Sequence, residues 1–326
     1  MRLDRAITLN VVRPIQRLLA ASKDGDETGV RRECIPILMY HSICDAAESR
    51  AHPYYQTNTK PEMFAQQMEY LAENGFQAIT LKQAIEWSKI ECRRSVQNIR
   101  DFPAAVTDAT RPVVISFDDG YRDFYTDAIP ILWKHGFRAT MFLSTAFIGD
   151  ERRRFNPRVD RTGSFTGKEC LTWREVCELH GAGIEFGSHT VNHPRLSDLS
   201  WSAIEYELRE SKTEIEDRLA EQVTTFAYPF AFPSSNRRFV AGFKELLVQE
   251  GYNCCATTEL GRMTTADNWF TAKRLPMNSC DDERLFRAKL EGNYDWLAGP
   301  QEVVKRLKST WFIPARNRSG AILARS

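Results

Sequence analysis

Two rhythms of apolar and polar positions alternate along the chain. Short, nearly continuous apolar runs occupy residues 35–40, 113–117, 139–143, 184–188, 224–228 and 254–258. Such runs are expected of strands buried on both faces. Amphipathic stretches lie between them. In 61–74, Met63, Phe64, Gln67, Met68 and Leu71 mark one face, and Gly75 is placed to end the helix. Residues 173–180 follow Thr172, and Glu175 completes the spacing of a capping box. The longest stretch, 200–220, carries Trp201, Ile204, Leu208, Ile215 and Leu219 on one face, and 237–250 follows. Strand and helix in alternation predict a parallel sheet or barrel.

Three segments break the rhythm. Residues 91–111 and 150–167 are charged and lack strand patterning, which predicts surface insertions rimming a site. Residues 1–33 precede the first strand. Their polar end, 22–33, reads as a linker. Within 1–20, Leu3, Ile7, Val11, Ile15 and Leu18 recur every three or four residues, with Arg2, Arg5, Arg13 and Arg17 between them. One reading is a helix making peripheral contact with a membrane surface. The other is a helix docked on its own domain or on a sister subunit. Pro14 argues against a long regular helix.

Composition narrows the classes. Hydrophobic residues make up 42% of 326, enough for a sizeable core. Lys and Arg total 44 against 43 Asp and Glu, so the basic excess of a nucleic-acid binder is missing. Eight cysteines without a CxxC pair are neither a disulfide scaffold nor a zinc ribbon. Cys254 and Cys255 are adjacent and do not suit a mutual bridge. Reduced thiols are expected, which favours the cytoplasm. No run approaches the ~18 apolar residues of a membrane span. Asp4, Asn10, Arg13 and Arg17 interrupt any secretory-signal core.

Candidate chemistry sits at strand ends. Ser116-Phe117-Asp118-Asp119-Gly120 closes one run. Adjacent carboxylates repel unless their duties are separated, and a metal would do that, one acid ligating while the other takes a proton. A polar Asp-Gly turn explains the same residues without chemistry. His189-Thr190-Val191-Asn192-His193 closes another run. Its histidines would share a face if the turn were helical. Two imidazoles plus a carboxylate make a three-ligand catalytic site with an open position. Phe226-Ala227-Tyr228-Pro229-Phe230 and Leu38-Met39-Tyr40-His41-Ser42 end two further runs.

Together these motifs resemble the polysaccharide deacetylase family, the metal-dependent carbohydrate esterases of family four, over roughly residues 35–276. Ser116–Gly120 is similar to the first motif of that family, His189–His193 to its second and Pro229-Phe230 to its third. The opening 36–42 resembles the subgroup acting on poly-N-acetylglucosamine and related exopolysaccharides. The resemblance implies an α/β fold, a distorted (β/α)7 barrel forming one catalytic domain over 34–326. It implies Asp118 as catalytic base, a divalent metal on Asp119, His189 and His193, and an oxyanion donor in the N–H of Phe230. Zinc is the expected metal, with cobalt or nickel as alternatives. Ala227 departs from the family, which has arginine there; Arg274 is the candidate to orient Asp118 instead. No histidine follows His193, so His41 is the expected general acid, as in that subgroup. Asp267-Asn268-Trp269 resembles the fourth motif only loosely. The implied activity is hydrolysis of an N-acetyl group from an amino sugar in a cell-surface glycan or its precursor. The alternatives are an amidase for a formyl, ureido or cyclic amide substrate, and a carbohydrate-binding pseudoenzyme. The expected partner is the N-acetylated sugar, and the expected location is cytoplasmic, with or without contact at the inner membrane face.

Overall fold

A computed structural model describes residues 2–21, 34–46, 56–97, 111–155 and 167–301. Eight parallel strands form its centre: β1 (Ile37–Tyr40), β2 (Phe76–Ile79), β3 (Arg111–Phe117), β4 (Thr140–Leu143), β5 (Glu185–Ser188), β6 (Thr225–Ala227), β7 (Cys254–Leu260) and β8 (Ala272–Pro276). Seven of them close a ring in the order β1-β8-β7-β6-β5-β4-β3, sealed where Ile37–Tyr40 pairs with Val114–Phe117. β3 is shared. Its first half pairs with β2, from Phe76↔Arg111 to Ile79↔Val114, and its last two residues pair with Thr140 and Met141 of β4. The ring is therefore the expected (β/α)7 barrel, distorted by β2 entering at its lower edge.

Alternation along each strand sorts the core into two layers. Ile37, Val114, Phe142, Ala227, Cys254, Ala256 and Ala272 pack together with Leu81, Ala84 and Ile85. The intervening Leu38, Tyr40, Val113, Ile115, Phe117, Met141, Phe226 and Leu275 pack against the helical coat. Both layers are buried, which is why the strands read as continuous apolar runs rather than alternating ones. The inner layer is rich in small residues. A Cβ at Gly187 would lie 2.7 Å from the Phe142 ring, so only glycine fits opposite that phenylalanine.

The coat comprises α1 (Pro61–Glu73), α2 (Leu81–Gln97), α3 (Ile129–Lys134), α4 (Trp173–Gly181), α5 (Trp201–Leu219), α6 (Arg237–Gln249) and α7 (Glu283–Leu290). Their ends carry the chemistry expected of them. Gly75 follows α1 at φ 71°. Thr172 and Glu175 form the capping box of α4 in both directions. The Ser200 and Asn236 side chains cap α5 and α6. Trp201 is half exposed, stacked on Phe239, rather than buried with the rest of its stripe.

The segments that broke the rhythm are built differently from one another. The stretch expected as an insertion from residue 91 begins as the end of α2; residues 98–110 lie outside the described residues, as do 22–33 and 156–166. At the base of the second insertion, Arg154–Phe155 pairs antiparallel with Lys168–Glu169. The N-terminal arm is helical over Leu3–Ile7 and Arg13–Ala21, joined by a wider π turn at Thr8–Val12. Pro14 has no N–H to offer the preceding turn, and widening relieves the clash of its ring there. The arm docks on its own domain through Thr8 and Leu9, which are buried, and through ion pairs. Arg2 pairs with Asp281 at 3.0 Å and Arg13 with Glu291 at 3.1 Å. Leu3, Val11, Ile15 and Leu18 face outward.

Candidate active site

The Asp118–Asp119 pair is divided by a change of backbone hand. Asp118 continues β3, its N–H donating to the Tyr40 carbonyl at 3.1 Å. Asp119 then adopts φ 75° and Gly120 φ 75°. A Cβ at Gly120 would come within 3.0 Å of Leu143 and Ile148, so glycine is required by space as well as by hand. The turn sends the two carboxylates to different partners.

Asp118 meets Arg274, which rises from β8 inside the barrel. Arg274 Nη1 donates to Oδ1 at 2.7 Å and Nη2 to Oδ2 at 2.8 Å, while Nε donates to the Thr257 carbonyl at 2.9 Å. The guanidinium is fully buried. Burial alone would raise the Asp118 pKa; the charge of Arg274, with His189 and His41, outweighs it and holds the carboxyl well below the ordinary range. Arg274 thus grips both oxygens of Asp118, while Ala227 is buried in the inner layer of the barrel. His41, directly after β1, places Nε2 3.9 Å from Asp118 Oδ2, with its side chain 21% exposed at the mouth.

Asp119 meets the histidines. Its Oδ1 lies 3.6 Å from His189 Nε2 and 3.4 Å from His193 Nε2. These are the one metal-capable group of three among the described residues. A tetrahedral ion with bonds of ~2.0–2.1 Å would hold its ligand atoms about 3.4 Å apart, so the spacing fits a cation rather than direct hydrogen bonds. Asp119 Oδ1 is buried without a hydrogen-bond partner, as an atom reserved for an ion would be. Burial pushes the Asp119 pKa up, against the opposing pull of His41 and His189. Burial lowers that of His189 to about 4, leaving a neutral imidazole. Its Nδ1 donates to the Ala227 carbonyl at 2.7 Å, which turns the Nε2 lone pair toward Asp119.

The His189–His193 turn is not helical. Thr190 at φ 72° and His193 at φ 51° are left-handed, and that bend brings the rings to centroids 4.8 Å apart. Glu207 on α5 braces the turn: its Oε2 accepts from the N–H of Val191 at 2.8 Å and of Asn192 at 2.9 Å. Phe155, from the base of the second insertion, packs 5.2 Å from the His193 ring. Phe230, at φ 58°, packs its ring 4.6 Å from that of His193. Of the five non-glycine residues at positive φ among those described, four are Asp119, Thr190, His193 and Phe230. Each such conformation costs ~1–3 kcal/mol, and strain of this kind gathers at functional sites.

The structure thus brings Asp118, Asp119, His41, His189, His193, Phe230 and Arg274 together at the C-terminal ends of the strands, where barrel sites lie. Asp267-Asn268-Trp269 is not among them; the Trp269 indole donates to Ser88 on α2. Two contributors were missed. Glu207 carried a signal, being a carboxylate in register with the buried stripe of α5. Tyr121, close enough to the Asp119 carboxylate for the two groups to feel each other's charge, carried none beyond following the first motif.

Comparisons with known proteins agree with this geometry. A family profile described as polysaccharide deacetylase matches residues 105–248, the span of the Asp-Asp, His-His and Pro-Phe motifs. The Bacillus subtilis (strain 168) protein YxkH, a candidate polysaccharide deacetylase by name, is 27% identical over 284 residues, covering 86% of each chain. A Staphylococcus aureus poly-beta-1,6-N-acetyl-D-glucosamine N-deacetylase is 24% identical over 61% of this chain and 66% of its own. The Streptococcus pyogenes deacetylase PplD, solved with acetate, shares the fold at a TM-score of 0.59, with 23% identity over 79% of this chain and 98% of its own. The motifs, the ring and the profile agree, and over residues 105–248 the chain is similar to the polysaccharide deacetylase family.

Proposed function

We propose that this chain removes the N-acetyl group from an amino sugar of a cell-surface glycan or its precursor, releasing acetate and a free amine. One observation carries the reading: Asp118, gripped by Arg274, stands beside the Asp119-His189-His193 group at one barrel mouth. The substrate named for the S. aureus relative supports an acetylated glucosamine.

Asp119, His189 and His193 would hold one divalent cation, zinc being best matched to two imidazoles and a carboxylate and cobalt or nickel next. When bound, the metal lowers the pKa of a coordinated water towards ~7 and polarises the amide carbonyl. Asp118 accepts the proton as water attacks the acetyl carbon; Arg274 keeps it ionised and aimed. The backbone N–H of Phe230 donates to the oxyanion that develops. His41 protonates the amine nitrogen as the C–N bond breaks, since an unprotonated amine is a poor leaving group.

The same reading includes a cytoplasmic precursor in exopolysaccharide or lipopolysaccharide assembly, in keeping with free thiols at Cys44, Cys170, Cys177, Cys254, Cys255 and Cys280. No described helix is long and apolar enough to cross a membrane.

The test is metal content together with acetate release from β-1,6- and β-1,4-linked N-acetylglucosamine oligomers. One metal per chain is expected, lost on His189→Ala or His193→Ala, with acetate and free amine appearing in equal amounts. Cleavage of only formyl or ureido sugars would make the chain a different amidase. Metal and sugar binding without turnover would make it a pseudoenzyme.

A further inference from the structure

His41 is held differently from its neighbours at the barrel mouth. Asp118 is gripped by Arg274, and the His189 ring is fixed by the Ala227 carbonyl. The His41 imidazole, 3.9 Å from Asp118, has no hydrogen-bond partner among the described residues. Its aim therefore rests on its backbone, and the residues on either side fix that. Tyr40 belongs to the outer layer: its hydroxyl donates to Gln67 Oε1 at 2.6 Å and its ring stacks on Phe117. Ser42 is fully buried, and its hydroxyl donates to the Asp123 carboxylate. Along an extended segment, residues 40 and 42 share one face and 41 takes the other. Anchoring both neighbours outward turns His41 toward Asp118.

Local chemistry does not explain why Asp123 makes this contact. It immediately precedes a π turn, Phe124–Ala128, that leads into α3. An aspartate at a helix start usually accepts from N–H groups of its own first turn. Asp123 makes no such cap. Its Oδ2 accepts from Ser42 instead, and its Oδ1 is buried with no hydrogen-bond partner among the described residues. Enclosing a carboxylate with one oxygen unpaired costs stability. Burial accordingly pushes its pKa up, while Ser42, the Ile43 N–H and the charge of Lys168 pull the other way. A residue kept at that cost serves something beyond the helix it starts. The other side of the His41 segment is tied as well. Ser42–Ile43 pairs in parallel with Asn58–Thr59, and Asn58 Nδ2 donates to the Ala46 carbonyl at 2.8 Å. Asp123 completes the clamp from the stretch that carries Asp118 and Asp119.

We propose that Asp123 is a positioning residue: by accepting from Ser42 it locks the exit of β1 and so aims His41 at the leaving nitrogen. Residues 118–123 then supply the base, a metal ligand and the anchor of the acid. This inference rests on the reading of His41 as the general acid.

The test compares two substrates on the metal-loaded protein: an acetamido sugar, whose amine must be protonated, and an activated aryl acetate, whose leaving group needs no proton. Asp123→Ala should lower kcat for the sugar roughly 10- to 100-fold, the scale of a displacement of about 1 Å in a reacting group. Metal content, KM and aryl acetate turnover should stay close to native. Ser42→Ala removes only the donor and should show the same selective loss; it also reads the contact if Asp123→Ala does not fold. The double variant should lose no more than either single one, because all three remove the same contact. Equal losses on both substrates, additive losses in the double variant, or native sugar turnover in Asp123→Ala would overturn the inference. His41→Ala is the control. If it harms both substrates equally, the acid assignment fails and takes this inference with it. If His41→Ala is selective and Asp123→Ala is not, the inference alone fails.

Discussion

Replacing Arg274 with methionine tests the core of the catalytic arrangement. The side chain is fully buried and gives both terminal nitrogens to Asp118. Methionine keeps much of the volume and removes the charge. Breaking a buried pair by removing one partner costs roughly 3–5 kcal/mol. The sign of the pH dependence follows. In the native protein the folded pKa of Asp118 is depressed, so the pair's contribution is complete above the unfolded carboxyl value of about 4. It is lost only as pH falls through the lower folded value. Without Arg274, burial is the leading influence and the folded pKa rises above the unfolded one. The variant should then lose stability as pH increases beyond about 4, and its deficit should be smaller at pH 5 than at pH 7. Urea unfolding of the metal-free proteins at the two pH values measures this. In the metal-loaded enzyme, the acid limb of kcat/KM should move upward and the maximum fall by ~10²-fold or more, from lost aim as well as lost ionisation. Asp118→Asn combined with Arg274→Met should recover part of the stability, since no buried charge is then unpaired. An unchanged acid limb together with equal deficits at both pH values would refute the reasoning.

Asp118→Asn alone should keep the metal and lower kcat by ~10²–10⁴, read by metal analysis and acetate release; near-native turnover would move the base elsewhere. His41→Ala should depress turnover of acetamido sugars far more than of an activated aryl acetate, whose leaving group needs no proton; equal losses would give His41 another role. Glu207→Ala removes both acceptors from the N–H groups of Val191 and Asn192, and metal affinity by competition with a chelator should fall ~10–100-fold while the metal ligands stay in place. Ala227→Arg, which would introduce the arginine of the motif it resembles, should fold poorly in thermal melts, because Ala227 is fully buried and Arg274 already pairs with Asp118.

What could be read before the fold was known follows burial and local chemistry. Six of the eight central strands stand out because both faces are buried and their residues are apolar. The two that do not are instructive. β2 is four residues long and exposes Gln77. β8 reads Ala-Lys-Arg-Leu-Pro, a charged segment by composition, because its arginine points inward to a carboxylate 156 positions away. A buried ion pair is invisible to hydropathy until both partners are seen. The helix ends were legible because capping is local. The motif residues were legible as a set, but the route that joins them was not: the His189–His193 turn works through left-handed residues and a bracing glutamate, neither of which a helical spacing rule anticipates. The arm was legible as amphipathic, but its roll on the domain was hidden, because Arg2 and Arg13 dock on acids and Leu9, outside the apolar stripe, is the residue that is buried.

The position of Arg274 on the last strand of the ring bears on the order of assembly. Synthesis delivers Asp118 and both histidines well before residue 272 emerges. Leu275 and Pro276 must then dock against Leu38 and Met39 to close the cylinder. The same docking brings in the cation that makes burial of Asp118 tolerable. Contacts that distant in sequence form slowly. A nascent chain lacking β8 therefore holds every ligand atom for a metal but has an acid that resists being enclosed, and closure and catalytic competence should arrive in a single late step.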